Sequence, residues 1–173
     1  MSSETVMNYY RTITSPLGDI LLASDGSALT GLWFADSVTC PENADSGMQE
    51  TQLPVFEQTE EWLRIYFSGQ DPRFRPDLAP HGSSFRMQVW SLLEELPYGT
   101  TSTYGELAHT LADRMHISRM SAQAVGNAVK HNPISLIIPC HRVIGADGSL
   151  TGYAGGIERK RALLALEHAL KSE

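Results

Sequence analysis

Residues 69–82 hold Pro72, Pro76 and Pro80 and show no hydrophobic periodicity, so neither a helix nor a central strand can run through them. This stretch divides the chain into two parts with different patterns. Before it, residues 9–14, 19–24 and 29–34 are extended runs parted by the turn signals Ser15-Pro16-Leu17-Gly18 and Asp25-Gly26-Ser27, which predicts an antiparallel meander. A polar, acidic loop is expected over 41–52. Val55, Thr59, Trp62, Leu63 and Tyr66 then recur at helical spacing until Gly69. A domain boundary near Gly82 follows, with a first domain and linker over 1–82 and a second domain over 83–173. The full length of 173 residues suffices for two small domains with a core of normal size.

After the boundary the pattern is helical. Phe85, Val89, Leu92, Leu93 and Leu96 form one face behind Ser84 as N-cap, and Pro97 ends it. A second helix begins at Thr103-Tyr104-Gly105-Glu106, where Thr and Glu have capping-box spacing, and runs through Leu107 and Leu111. A third carries Met120, Ala124, Val125, Ala128 and Val129 on one face and stops before Asn132-Pro133. Two short helices followed by a strand suggest a helix-turn-helix with a wing. The third helix is poor in bulk, with Ser121, Ala122, Ala124, Gly126 and Ala128, and can approach another backbone closely. On composition alone, close internal packing explains this better than a nucleic-acid groove.

Charge separates the two parts again. The chain has a formal net charge of -7, but residues 1–82 carry -8 and residues 83–173 carry +1. No Asp or Glu occurs between Asp113 and Asp147, a span that holds Arg114, Arg119, Lys130, Arg142, His116, His131 and His141. A phosphate-facing stripe inside an acidic protein and an ordinary surface fluctuation both fit this. No apolar run approaches a membrane span and no secretory signal pattern opens the chain, so a cytoplasmic protein without membrane association is expected.

Two cysteines, Cys40 and Cys140, are too few for a disulfide scaffold, and their spacing to histidines suits no metal. No metal or cofactor is expected. Cys40 lies in the polar loop and reads as incidental. Cys140 follows the short apolar run Ser135-Leu136-Ile137-Ile138, taken as a buried strand, and precedes His141-Arg142, where positive charge would favour its thiolate. Adjacent residues of an extended chain point to opposite faces, so contact between thiol and imidazole would need a turn or a bridging water. A nucleophile and a buried structural cysteine both remain open on these residues alone.

The longer pattern is more specific. Pro139-Cys140-His141-Arg142-Val143-Ile144-Gly145, preceded by Ala124-Val125-Gly126 and Asn132-Pro133 and followed by Gly152-Tyr153-Ala154-Gly155-Gly156, resembles the O6-alkylguanine-DNA alkyltransferase family over residues 84–170. Ser15-Pro16-Leu17-Gly18 extends the likeness into the first domain. The resemblance implies an α/β (α+β) protein, with an N-terminal ribonuclease H-like sheet-and-helix domain and a C-terminal winged helix-turn-helix. It implies a monomer that removes an alkyl group from O6 of guanine, and possibly from O4 of thymine, onto its own cysteine once. The partner would be double-stranded DNA gripped through the minor groove, with the damaged base flipped out.

By the same resemblance, Cys140 is the nucleophile, His141 takes its proton through a water, and Glu167, placed in the last helix, holds the imidazole. Tyr104 bonds N3 of the flipped guanine. Asn132 ties the helices to the active-site strand, and the 152–156 loop with Tyr153 closes over the base while the Ala154 amide bonds O6. Gln123, Ala124, Gly126, Arg142 and Val143 join the substrate and DNA contacts, and Lys160 stands behind the loop. The family carries an arginine where this chain has Gln123, and the segment 112–120 is longer than the family's turn. Arg119, four residues earlier and thus on the same face of a helix, would partly replace the missing cation. Two other readings differ in class: a non-catalytic alkyl-lesion recogniser, which would not need Cys140, and a Cys-His-Glu hydrolase, for which no oxyanion site is apparent.

Overall fold

The computed structural model describes residues 9–41 and 48–169. It divides into two compact units. One runs to His81 and takes in Pro133–Ser135; the other comprises Gly82–Asn132 and the chain from Leu136 onward. A single boundary near Gly82 does not capture that short return.

In the first unit β1 (Tyr9–Ile13), β2 (Ile20–Ser24) and β3 (Leu29–Phe34) form the meander, with Ile20 opposite Ile13 on one side and Phe34 on the other. The first turn is tight because the Ser15 hydroxyl accepts from the Leu17 amide and donates to the Gly18 carbonyl. Every residue of β2 and β3 is buried. Leu21, Ala23 and Trp33 make one apolar cluster, against which Tyr10, Met48 and half-buried Cys40 pack. A fourth strand, β4 (Gln49–Glu50), pairs in parallel with β1 inside the expected loop, giving the order β3-β2-β1-β4. Helix α1 (Pro54–Phe67) starts on a proline, which suits a first helical position, and buries Val55, Phe56, Thr59, Trp62, Leu63 and Tyr66.

The outer edge of β3 is closed by two short passages of chain. Leu29 bridges to Leu78 and Leu32 to Ile134, with Leu32 N donating to the Pro133 carbonyl and Ser135 N to the Leu32 carbonyl, at 2.8 and 2.9 Å. This corrects the strand expected over 135–138. Ile134 alone bridges, and Leu136 at φ 71° turns the chain away before the end of β3. Apolar composition could not reveal that.

The second unit holds α2 (Ser84–Leu93), β5 (Ser102–Thr103), α3 (Tyr104–Arg114), α4 (Ala122–Lys130), β6 (Val143–Ile144) and α5 (Ile157–Leu166). The cap of α2 is Ser83 rather than Ser84, its hydroxyl accepting from the Arg86 amide. Thr103 caps α3 by accepting from Glu106 N, while the Glu106 carboxylate takes the Ser102 hydroxyl instead of completing a capping box. Ser121 caps α4 through the Ala124 amide. Trp90 Nε1 donates to the Ala128 carbonyl at 2.8 Å and locks α2 to α4. β5 and β6 pair in parallel, Ser102 with Val143. Among the described residues no helix is long and apolar enough to cross a membrane.

The Trp33 ring lies over Gly31, where an added Cβ would fall 2.1 Å from a ring carbon. Gly31→Ala should therefore destabilise the protein by ~1–3 kcal/mol through overpacking, read from urea or thermal denaturation. An unchanged midpoint would mean that Trp33 moves aside without loss.

Candidate active site

The position of Cys140 is set by backbone geometry two residues upstream. Asn132, 2% exposed, donates from Nδ2 to the Ile138 carbonyl at 2.7 Å, and Cys140 N donates to the same carbonyl at 2.8 Å. Arg142 N then reaches back to the Pro139 carbonyl, winding Cys140–Arg142 into one turn of 3₁₀ helix. Cys140, His141 and Arg142 are all buried in that turn. An extended chain would have sent neighbouring side chains to opposite faces; the turn removes that obstacle.

Behind the cysteine lies a buried ionic cluster. His141 Nε2 is 2.6 Å from Glu167 Oε2, and Arg142 engages both Glu167 oxygens, Nε to Oε1 at 2.8 Å and Nη2 to Oε2 at 3.2 Å. Gly99 N adds a donor to Oε1 at 3.2 Å, and Arg142 Nη1 donates to the Leu96 carbonyl at 2.7 Å. Gly99 can present its amide there because it takes φ 80°, a conformation that favours glycine. Burial alone would raise Glu167, but the hydrogen bonds from His141 and Arg142 and the positive charge beside it outweigh burial and hold the carboxyl at about 2. Burial holds His141 below its ordinary value even though Glu167 pulls it upward. An ionised Glu167 accepts from His141 Nε2, and burial disfavours the charged form of the ring.

Two sequence expectations change at this cluster. Glu167 is not within the last helix but caps it, one residue past Leu166. Arg142, expected among the substrate and DNA contacts, is 8% exposed with its guanidinium paired internally, because a buried carboxylate requires a countercharge. The side chain of Val143 is likewise fully buried.

The opposite wall is built by α3, α5 and the loop between β6 and α5. Tyr104 Oη donates to the Thr151 carbonyl at 2.9 Å, and Lys160 Nζ donates to that carbonyl at 2.8 Å, 5.8 Å from the Tyr104 ring centroid. Lys160 is fully buried, which lowers its pKa to about 8 against the opposing pull of the Cys140 thiolate. Burial and the Cys140 charge both raise Tyr104 and Tyr153, so these groups share one electrostatic neighbourhood. Gly152 at φ 73° brings the loop backbone so close that a Cβ would stand 3.1 Å from Tyr104 Oη. Gly126 of α4 faces the Tyr104 ring, where an added Cβ would stand 3.5 Å from a ring carbon, in ordinary contact. Ala154 is partly exposed on the same loop.

The structure thus gathers Cys140, His141, Glu167, Tyr104, Lys160, Tyr153 and Gly126, with Asn132 supporting them. Gln123 and Ala124 lie instead on the exposed face of α4 with Ala122, Asn127 and Lys130, so Ala124 is not on the apolar face expected for it. Arg119 precedes the Ser121 cap and so shares no helical face with Gln123, contrary to the spacing argument. Arg114 is committed to Glu95 through two hydrogen bonds of 2.6 and 2.7 Å. The Gly99 amide and the Leu96 and Thr151 carbonyls were not foreseen, since a backbone atom's role leaves no mark on residue type.

A buried cysteine thus shares one turn with a histidine bonded to a carboxylate, in a helical unit whose α4 presents a small-residue face outward. Comparison narrows this. The family model for the 6-O-methylguanine DNA methyltransferase DNA binding domain matches residues 84–169, and that for the ribonuclease-like domain matches residues 8–80. The methylated-DNA–protein-cysteine methyltransferase of Mycobacterium tuberculosis is 45% identical over 93% of each chain, and that of Methanosarcina acetivorans 42% identical over 92% of this chain and 97% of its own. The crystal structure of Mycobacterium tuberculosis OGT in complex with DNA superposes with a TM-score of 0.80 at 43% identity over 93% of each chain. The chain belongs to the 6-O-methylguanine DNA methyltransferase family.

Because its pKa is depressed, Glu167 contributes stability that is fully present above its ordinary value of 4.5 and is lost as pH falls toward about 2. Glu167→Gln leaves Arg142 buried without its counterion and should cost ~3–5 kcal/mol at pH 7. Wild-type stability should also fall more steeply than the variant's between these pH values. Equal denaturation midpoints at pH 7 would show that the pair contributes no net stability.

Proposed function

We propose that this chain repairs alkylated DNA by direct reversal, moving the alkyl group from O6 of guanine to Cys140 in one turnover. The observation that carries this reading is the single turn that holds both Cys140 and His141, with the imidazole kept below its ordinary pKa by burial and oriented by a buried carboxylate. With Nε2 engaged by Glu167, proton exchange with the thiol falls to Nδ1, directly or through a water. The thiolate attacks the alkyl carbon in line. The new S–C bond forms as the C–O bond breaks, the electron pair passes into the purine, and the proton held by His141 returns to the departing guanine. The product is a thioether, which has no acidic proton and no path back to the thiolate, so the reaction ends there.

The other wall suits the leaving group. Tyr104 is hydrogen-bonded to a carbonyl at rest and can turn that hydroxyl to N3 of the base, where negative charge develops. The Ala154 amide can meet O6, and the positive charge of Lys160 favours both the thiolate and the departing purine. A stacked guanine hides its O6 substituent, so the nucleotide must be extruded. The exposed face of α4, lined by Ala122, Gln123, Ala124 and Asn127, allows the close backbone approach that the minor groove of duplex DNA requires, while exposed Arg119 and Lys130 can meet phosphates. One chain supplies every group named, so a monomer suffices.

Cys140→Ser should abolish transfer of a labelled methyl group from O6-methylguanine DNA while DNA binding survives. Transfer by the variant at the wild-type rate would sink the assignment. Tyr104→Phe should slow single-turnover transfer by about 10²–10³-fold if its hydroxyl meets the developing charge, and not at all if it only packs.

Gln123 tests the DNA part separately. It is shorter than arginine and uncharged, so it fills a vacated base stack poorly. Gln123→Arg should speed transfer from duplex DNA more than from single strands, where extrusion costs little, and should leave reaction with free O6-benzylguanine nearly unchanged. Equal responses from all three substrates would remove Gln123 from the extrusion step.

A further inference from the structure

Arg142 is the residue whose observed surroundings fit its expected role least. A phosphate contact needs an exposed guanidinium, yet this one has a donor on each Glu167 oxygen, a third on the Leu96 carbonyl, and its Cζ 5.7 Å from the Tyr98 ring centroid. Each Glu167 oxygen thereby receives two donors. Oε1 takes Arg142 Nε and Gly99 N, and Oε2 takes His141 Nε2 and Arg142 Nη2. The carboxylate plane is fixed by a two-pronged fork that a lysine could not reproduce.

The geometry points to Arg142 as a positioning residue for the transfer reaction: its fork aims Glu167 Oε2 at His141 Nε2, and its charge adds to burial in offsetting the carboxylate, so that the imidazole can accept the thiol proton. The inference rests on the alkyl-transfer reading above. A buried imidazole and carboxylate without a third partner carry a net negative charge, which the pair can relieve by taking up a proton. The base would then be occupied before the thiol could use it. Arg142 supplies the missing positive charge without a proton. It also makes the imidazolium formed during reaction readier to surrender its proton to the departing guanine.

The groups that act on the pair are Arg142 on the turn, Lys160 on α5 and Tyr153 on the loop, while Tyr98 before β5 faces the Arg142 guanidinium. Arg142 is the cation in direct contact with Glu167, whereas Lys160 donates to Thr151. The direction is consistent with charge acting on His141, since Arg142 and then Lys160 oppose the upward pull of Glu167.

The test is the pH dependence of single-turnover methyl transfer from a single-stranded O6-methylguanine oligonucleotide, for wild type, Arg142→Gln and Arg142→Lys. Arg142→Gln should move the acid limb upward by about one pH unit or more, a roughly tenfold loss on that limb. Arg142→Lys keeps the charge but not the fork, so it should leave the limb in place and lower the rate at every pH. A uniform rate loss in Arg142→Gln, or a loss seen only with duplex DNA, would overturn the inference and return Arg142 to a structural or DNA-contact role. Should the glutamine variant fail to fold, nitrogen NMR of the wild-type histidines decides: the inference requires a neutral His141 with hydrogen on Nε2 at pH 7, and an imidazolium there would overturn it. Absence of any methyl on wild-type Cys140 would instead overturn the alkyl-transfer reading, and the NMR result would still stand by itself.

Discussion

The second unit is organised around one buried carboxylate. Glu167 caps the end of α5, and two separate pieces of chain converge on it: the Cys140–Arg142 turn through two side chains and the Pro97–Gly99 turn through an amide. An ion desolvated to this degree is tolerable only when nearly all its acceptor positions are filled. That demand explains otherwise separate features: the left-handed Gly99, the inward Arg142, and the single 3₁₀ turn that brings histidine and arginine to one side.

The same cluster links structure to chemistry. The carboxylate fixes the tautomer of His141 by accepting from Nε2, so the nitrogen that can serve the thiol is determined far from the reacting carbon. Cys140 is held by backbone bonds from Ile138 and through Asn132, and it does not depend on the ionic cluster for its place. Position and activation of the nucleophile therefore have different structural causes. A substitution in the cluster can change proton handling while the sulfur stays where it was.

Much of this was legible in the sequence where local physics decides. The alternating runs of the meander and the capping residue Thr103 report short-range constraints, and those elements formed as expected, whereas Ser121, which the sequence pattern places within the helix itself, is the cap of α4. The two-residue strand Gln49–Glu50 was not legible, because it depends on the presence of β1 beside it rather than on its own residues, and the positive φ of Leu136 leaves no mark on residue type. The site shows the same division. Cys140 and His141 lie in the long motif and Glu167 came with the resemblance, whereas the partner of Arg142 was not legible because a cation in an acid-free span looks solvent-facing until that partner, 25 residues away, is in place. Backbone participants at Leu96, Gly99 and Thr151 had no signature at all.

The account stands on Cys140 as the single, terminal acceptor of the alkyl group. The most direct measurement is site-mapped mass spectrometry of the whole protein titrated with DNA carrying O6-methylguanine. The account predicts S-methylcysteine at position 140, rising to one methyl per chain and no further however much substrate remains. Methyl on Cys40 or on a histidine, continued release of repaired DNA beyond one equivalent, or unchanged mass with DNA bound would contradict it.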